Sequence, residues 1–420
     1  MPRRIRPIAK PVSVKLDGEI ISAELGEPLA ATLIANDALV VARSPKFHRP
    51  RSPSCFRGGC DGCLARVDGA PNAMTCHIPA TEGVEIETQN RLGSRETDLL
   101  RATDWFFPDG LNHHELFAGI PGIQSVMQAF ARRVAGLGRL PNRARKVPRS
   151  ERRAVDALVI GSGPGGMAAA TALFEEGRSV EIVDDSLTEG GSLVALGQHR
   201  AAFSPLLSRF ERAKKKGLRV RTSTTALGIY GDDVLIASEG SAELLVPKTL
   251  VFATGAHDGV LAFEGNDVPG VFSVRAAATL LAHGILVGDQ IAIVAPRGLS
   301  EIGKAFRDEL RALNLATNLT VVRDAAPAIR GTSRVRGIDY QEKGEARSLK
   351  VESVIVDAPR APAFELAEQA GAELTPAPEG FVVKTTNGKI RDGVFAIGEL
   401  AGMPIELQPL LDVAKRIAKG

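Results

Sequence analysis

The stretch ALVIGSGPGGMAAATALFEEGRSVEIVDD, residues 157–185, constrains this chain more than any other. An apolar run ends at Ile160, and glycines follow at Gly161, Gly163 and Gly166. A helical pattern of small residues comes next, and a second apolar run ends at Asp184. This order predicts strand, tight turn, helix and parallel strand, the βαβ unit that binds dinucleotides. Gly161 allows the turn, Gly163 admits a pyrophosphate, and Gly166 lets helix and strand touch. The free N–H groups and the dipole at the helix start attract phosphate. Asp184 is expected to accept hydrogen bonds from a ribose diol, its charge disfavouring a 2′-phosphate. From residue 154 onward, apolar strands alternate with helical patterns, as a parallel, doubly wound α/β sheet requires.

The four cysteines of the chain lie within one short segment, as Cys55-x4-Cys60-x2-Cys63-x12-Cys76. The first three follow the plant-type ferredoxin spacing, with a more distant fourth ligand, and the set predicts a [2Fe–2S] cluster. A loop that wraps a cluster must approach it closely, and Gly58, Gly59 and Gly62 permit this while turning N–H groups inward. Arg57, in the same loop, is expected to tune the cluster potential. A zinc site usually has two C-x2-C pairs, and here there is one. Two disulfides are the other alternative. They conflict with the reducing cytoplasm, which is the expected compartment: the basic start MPRRIRPIAKPVSV has no apolar run behind it, and no stretch is long and apolar enough to span a membrane.

Around the cysteines, VSVKLDGEIISAEL alternates in period two about a turn at Asp17-Gly18. EPLAATLIAND (27–37) is helical in pattern and VEIET (84–88) is a closing strand, which together make a small α+β sheet. TDLLRATDWFF and SVMQAFARRVAGLG are helix-like and lead into RLPNRARKVPRSERR (139–153), which is expected to be an exposed linker. The 52 basic and 49 acidic residues nearly cancel, and aromatic residues are few, so a nucleic-acid partner is not expected.

Gly190-Gly191, LVFATGAH (250–257) and DGVFAIGELAG (392–402) resemble the segments with which two-dinucleotide flavoproteins close over FAD. The resemblance assigns Gly191, Thr254, Gly255, Gly398 and Glu399 to that site, with Glu399 where Asp is usual. His257 follows the ATG turn and is expected to be structural more often than catalytic. In the second nucleotide-like unit, QIAIV (290–294) is followed by APRGLSEIG, which has Ala295, Arg297 and Ser300 where glycines are expected. Side chains there obstruct a pyrophosphate, so electrons are expected to enter from a source other than NAD(P)H.

The whole order resembles the α subunits of the heterotetrameric sarcosine oxidase family. That family includes multisubunit proline, hydroxyproline and opine dehydrogenases and hydrogen cyanide synthase. ARSPKFHRPRS (42–52), GAPNAMTCHIPATEGVEIETQN (69–90), GLGRLP (136–141), DDSLTEGGSL (184–193) and ATGAHDGVLAFEGNDVPGV (253–271) carry the likeness. It implies an electron-transfer subunit with FAD and a [2Fe–2S] cluster, NAD being the alternative occupant of the dinucleotide site. A partner flavoprotein β subunit would oxidise a secondary amine or amino acid, and a quinone or other acceptor would take the electrons. The chain ends at Gly420 without the folate-related domain of sarcosine oxidase, which points to a dehydrogenase. The competing readings are an NAD(P)H-dependent flavin/iron–sulfur reductase and a non-catalytic assembly subunit. Expected units are an N-terminal ferredoxin-like (β-grasp) domain at 1–94, a helical linker at 95–153, an FAD-binding domain at 154–275 with 385–420, and an NAD-domain-like insertion at 276–384.

Overall fold

The computed structural model of the chain describes residues 1–44, 48–91, 93–95, 97, 125–126, 141 and 150–420. The helical patterns expected in the linker and the GLGRLP segment lie almost wholly outside the described residues.

The N-terminal sheet has five strands in the order Glu19–Glu24, Pro11–Leu16, Glu85–Glu87, Leu64–Val67, Ala70–Met74. Its first hairpin turns through Asp17 (φ 52°) and Gly18 (φ 93°), the positive pair that a two-residue turn between twisted strands demands. Pro11–Leu16 then runs parallel to Glu85–Glu87. The helix Leu29–Ala35 covers the sheet, with Leu29 and Leu33 in the same core as Val14, Leu16, Ala65 and Ile86. On its other side Ala31 and Ile34 enter the central core with Met167, Ile285 and Ile291. One helix therefore joins the small sheet to the rest of the molecule by apolar packing on two faces.

The second sheet runs Arg219–Arg221, Val180–Val183, Ser150–Ile160, Ser241–Phe252, with Val394–Ala396 parallel to the far half of Ser241–Phe252. Two antiparallel strands, Asp233–Ser238 and Thr225–Tyr230, extend its other half. The buried helix Pro164–Glu175 leaves the central strand, starting with Pro164 at a position where a missing N–H costs nothing. The central strand begins at Ser150, inside the segment expected as linker. Arg152 and Arg153 hold it there by ion pairs to Asp233, Glu181 and Glu243.

A third, parallel sheet runs Val271–Ser273, Ser353–Val356, Gln290–Val294, Asn318–Val322. It takes Val271–Ser273, which the sequence reading grouped with the second sheet. Register with Ser353–Val356 draws that strand across. Both large sheets are α/β with parallel cores, as expected.

Candidate functional site

The two glycine-rich turns of the second sheet open a cleft at the carboxyl ends of its strands. Gly161 (φ 103°), Gly163, Gly165, Asp184, Gly191, Thr254, Gly255, Gly398 and Glu399 all line it. A Cβ at Gly161 would lie 2.3 Å from Ala253 O, and one at Gly166 would lie 1.9 Å from Gly161 O. These two glycines are thus required by backbone contacts, Gly166 where the helix crosses the strand. At Gly163 the nearest atom to such a Cβ is Gly191 Cα at 3.9 Å, so the space over this residue is left for something else.

Asp184 is buried and faces Ser162. Its Oδ2 accepts the Ser162 N–H at 2.6 Å and the hydroxyl at 2.7 Å, and its Oδ1 accepts Ser186 N–H at 2.8 Å. Part of its accepting capacity therefore holds the glycine turn. Thr254 does not point its hydroxyl at the cleft: it donates to Ala363 O at 2.5 Å and pins the ATG turn. Glu399 is tied to Arg360 Nε at 2.6 Å and to the Ser192 hydroxyl at 3.4 Å. Arg360 also lies 3.6 Å from Glu301 and is mostly buried. Burial pushes its guanidinium down, and the Glu399 carboxylate outweighs that and holds it above the usual range. His257 borders the cleft but is exposed and pairs with Glu365 at 2.9 Å.

Sequence reasoning missed Arg275. Only 2% exposed, it places Nε 2.9 Å from Asp258 Oδ1, while its Nη2 has no hydrogen-bond partner. Burial pushes its guanidinium down to about 10. The residue lines the cleft. No signal in VRAAATLLA marks it, because a lone Arg at a helix start reads as solvated.

The four cysteines are unoxidised and come together in two pairs. Cys63 and Cys76 have sulfurs 3.4 Å apart. Cys55 and Cys60 also share a hydrogen bond, which lowers Cys60 to about 5 and holds Cys55 up. Arg57 N–H donates to Cys55 Sγ at 3.3 Å, and further backbone N–H donors are Gly59 to Cys55, Gly62 to Cys60 and Gly58 to Cys76. Among the described residues no group of three or more His, Cys, Asp or Glu side chains is arranged around one metal ion. Two thiol pairs with inward N–H donors fit two irons with two thiolates each, and do not fit a single tetrahedral zinc. Gly62 is needed for the wrap, since a Cβ there would lie 2.0 Å from Ser52 O.

The cysteine loop also forms a wall of the dinucleotide cleft. Ser54 O accepts Ser273 N–H at 2.8 Å, Phe56 packs on the central core, and His77 Nδ1 lies 2.9 Å from Asp185 O. The Arg57 side chain lines the cleft itself. This corrects its expected place as a group turned to the cluster alone.

In the third sheet, the helix Glu301–Ala312 is capped by Ser300. Asp357 Oδ2 accepts Ser300 N–H at 2.8 Å, and a Cβ at Gly303 would come within 2.1 Å of it. Burial pushes the Asp357 carboxyl up, opposed by the hydrogen bonds from Ser300. A carboxylate thus takes the place at a helix start where a phosphate is usually bound.

Known proteins share these features. Residues 9–91 match the 2Fe-2S iron-sulfur cluster binding domain family, and residues 155–294 match the pyridine nucleotide-disulphide oxidoreductase family. The alpha subunit of sarcosine oxidase from Rhizobium meliloti (strain 1021) is 29% identical over 81% of this chain and 36% of its own length. An opine oxidase subunit of Agrobacterium tumefaciens (strain Ach5) is 29% identical over 33% of this chain and 31% of its own. The chain therefore spans about a third of the length of these curated relatives. The crystal structure of L-proline dehydrogenase from P. horikoshii shares the fold, with a TM-score of 0.74, 19% identity and coverage of 99% of this chain and 74% of that one. No helix among the described residues is long and apolar enough to cross a membrane.

Proposed function

Because the chain belongs to the family of sarcosine oxidase and opine oxidase α-type subunits and carries a [2Fe–2S] domain, we propose that it is the electron-transfer subunit of a complex that oxidises a secondary amine or amino acid. Sarcosine, proline, hydroxyproline and opines are the candidate substrates, and their oxidation would occur on a partner flavoprotein subunit. The dinucleotide cleft would hold FAD, and the pairs Cys55/Cys60 and Cys63/Cys76 would hold the cluster. When bound, the flavin exchanges electrons in pairs or singly and the cluster takes one at a time, before a quinone or other acceptor.

The observation that supports this reading best is the shared wall: the loop that carries three of the four thiols also lines the cleft. What the chain's own residues do follows from that. The start of helix Pro164–Glu175 presents free N–H groups to a pyrophosphate. Asp184 orients the turn and keeps lone pairs for a ribose. Arg275 offers a buried positive group with a free N–H to whatever negative charge the cleft receives. The backbone of residues 57–62 supplies N–H donors to the thiolates. His257 and Glu365, the acid–base pair at the rim, both stand exposed to water rather than aimed into an enclosed substrate pocket, which agrees with amine oxidation on another chain.

The test is an absorption spectrum of anaerobically purified protein, followed by electron paramagnetic resonance after dithionite. Flavin bands with a rhombic signal from a reduced [2Fe–2S] centre are expected. Folded, reconstituted protein with neither chromophore would overturn the reading.

A further inference from the structure

We infer that Arg57, from the loop between Cys55 and Cys60, is a pyrophosphate-binding residue of the dinucleotide cleft, and that occupancy of the cluster site and of the cleft are therefore coupled. The inference rests on the cofactor assignment proposed above and extends it to a residue and an energetic link.

Arg57 is half-buried and lines the cleft together with Gly163, Pro164 and Gly191, the residues around the open space at the helix start. Its guanidinium has no ion-pair or hydrogen-bond partner among the described residues. The other two arginines in and beside the cleft are committed to carboxylates: Arg360 to Glu399 and Arg275, through Nε, to Asp258. A half-buried guanidinium without an acceptor next to an uncapped helix start is a complete anion site from two sides. The helix gives backbone N–H donors, and Arg gives a planar fork suited to phosphate oxygens. The unpartnered Nη2 of the buried Arg275 adds positive charge to the same cleft.

Coupling follows from where the loop is fastened. Arg57 N–H bonds to Cys55 Sγ, so the residue's backbone is held by a cluster ligand. Ser54, which precedes Cys55, bonds to Ser273, and His77, which follows Cys76, meets Asp185 beside the cleft. Four thiolates gathered on a cluster fix this loop, and the fixed loop presents Arg57 to the pyrophosphate. Linkage is reciprocal, so a bound dinucleotide must in turn oppose cluster loss.

The experiment is a fluorescence titration of FAD into full-length protein: cluster-loaded wild type, iron-stripped wild type, and cluster-loaded Arg57→Ala and Arg57→Lys. Arg57→Ala is expected to weaken FAD binding about tenfold, the value of a charge-assisted hydrogen bond, with the paramagnetic signal of the reduced cluster unchanged. Lys should restore part of the loss. Iron-stripped wild type should also bind FAD more weakly, and Arg57→Ala should abolish the difference between loaded and stripped forms. Wild-type affinity in cluster-loaded Arg57→Ala overturns the inference while leaving both cofactor sites standing. If wild type binds no FAD at all, the cleft assignment fails first and the inference falls with it.

Discussion

Ser162 and Asp184 meet where the glycine turn faces the cleft, with Asp184 Oδ2 accepting both the backbone N–H and the hydroxyl of Ser162 at 2.6 and 2.7 Å. Both residues are buried, so the pair has no water to fall back on. Asp184→Ala would leave the Ser162 donors unsatisfied at a cost of about 1–3 kcal/mol. Thermal unfolding of the apoprotein should show that loss, and FAD titration should show weaker binding. Ser162→Ala removes only the hydroxyl and should cost about 1 kcal/mol.

The glycines separate folding from binding. Gly166→Ala forces a Cβ to within 1.9 Å of Gly161 O, and neither backbone can yield without opening the strand–helix contact. It should lower stability by about 1–3 kcal/mol or more. Gly163→Ala meets nothing closer than 3.9 Å and sits at φ −69°, a conformation that alanine accepts. That variant should unfold at the wild-type temperature yet lose FAD, because its methyl enters the pyrophosphate space. Melting curves and flavin content of the two variants check the contrast.

The features legible in the sequence were those that a single segment must satisfy by itself. The glycine turn, the Asp17-Gly18 hairpin and the four-cysteine loop each carry their geometry in local spacing. What was not legible depends on distant chain. Arg360 meets Glu399 across 39 positions, and Arg275 is buried only because the cysteine loop and the ATG segment close over it. Arg57 was read with its sequence neighbours, the cysteines, whereas its side chain belongs to a cleft built more than a hundred residues later. The beginning of the central strand at Ser150 has the same origin, since the acids that fix Arg152 and Arg153 come from three other strands.

Two thiol pairs predict a definite metal content. Reconstituted protein should hold two irons and two acid-labile sulfides per chain. Cys60→Ser and Cys76→Ser, one from each pair, should each abolish the signal of the reduced cluster. A single zinc per chain, retained by both variants, would contradict the pairing. Iron, sulfide and zinc analysis with paramagnetic resonance decides it.

Glu181 gives a pH dependence of stability. It is 4% exposed, and it lies 3.0 Å from Arg153 and 3.1 Å from Arg221. Burial pushes its carboxyl up, but the hydrogen bonds and charges of these arginines outweigh burial and hold it below the usual value of 4.5. The unfolded chain then binds more protons than the folded one as pH falls. The stabilisation is fully present above about pH 4.5 and is lost as pH falls through the lowered folded value. Glu181→Gln should cost about 3 kcal/mol at pH 7, since it leaves buried guanidinium groups uncompensated. It should also flatten the acid limb of a plot of melting temperature against pH.

Asp357 bears on where electrons enter. The third sheet ends Gln290–Val294 in a loop to the helix Glu301–Ala312, the position at which a nicotinamide dinucleotide would place its pyrophosphate. Asp357 Oδ2 already accepts Ser300 N–H there, and its charge would repel a second anion at the same helix start. Arg297 and Ser300 add side chains where glycine would allow close approach. Neither NADH nor NADPH should therefore reduce the flavin of the purified, cofactor-loaded protein under anaerobic conditions, as followed by the loss of flavin absorbance. Dithionite should reduce it in the same cuvette, which shows that the flavin is competent. Rapid bleaching by NADH that survives Ala295→Trp would mean that nicotinamide reaches the flavin by another route, and entry of electrons from a partner subunit would no longer be required.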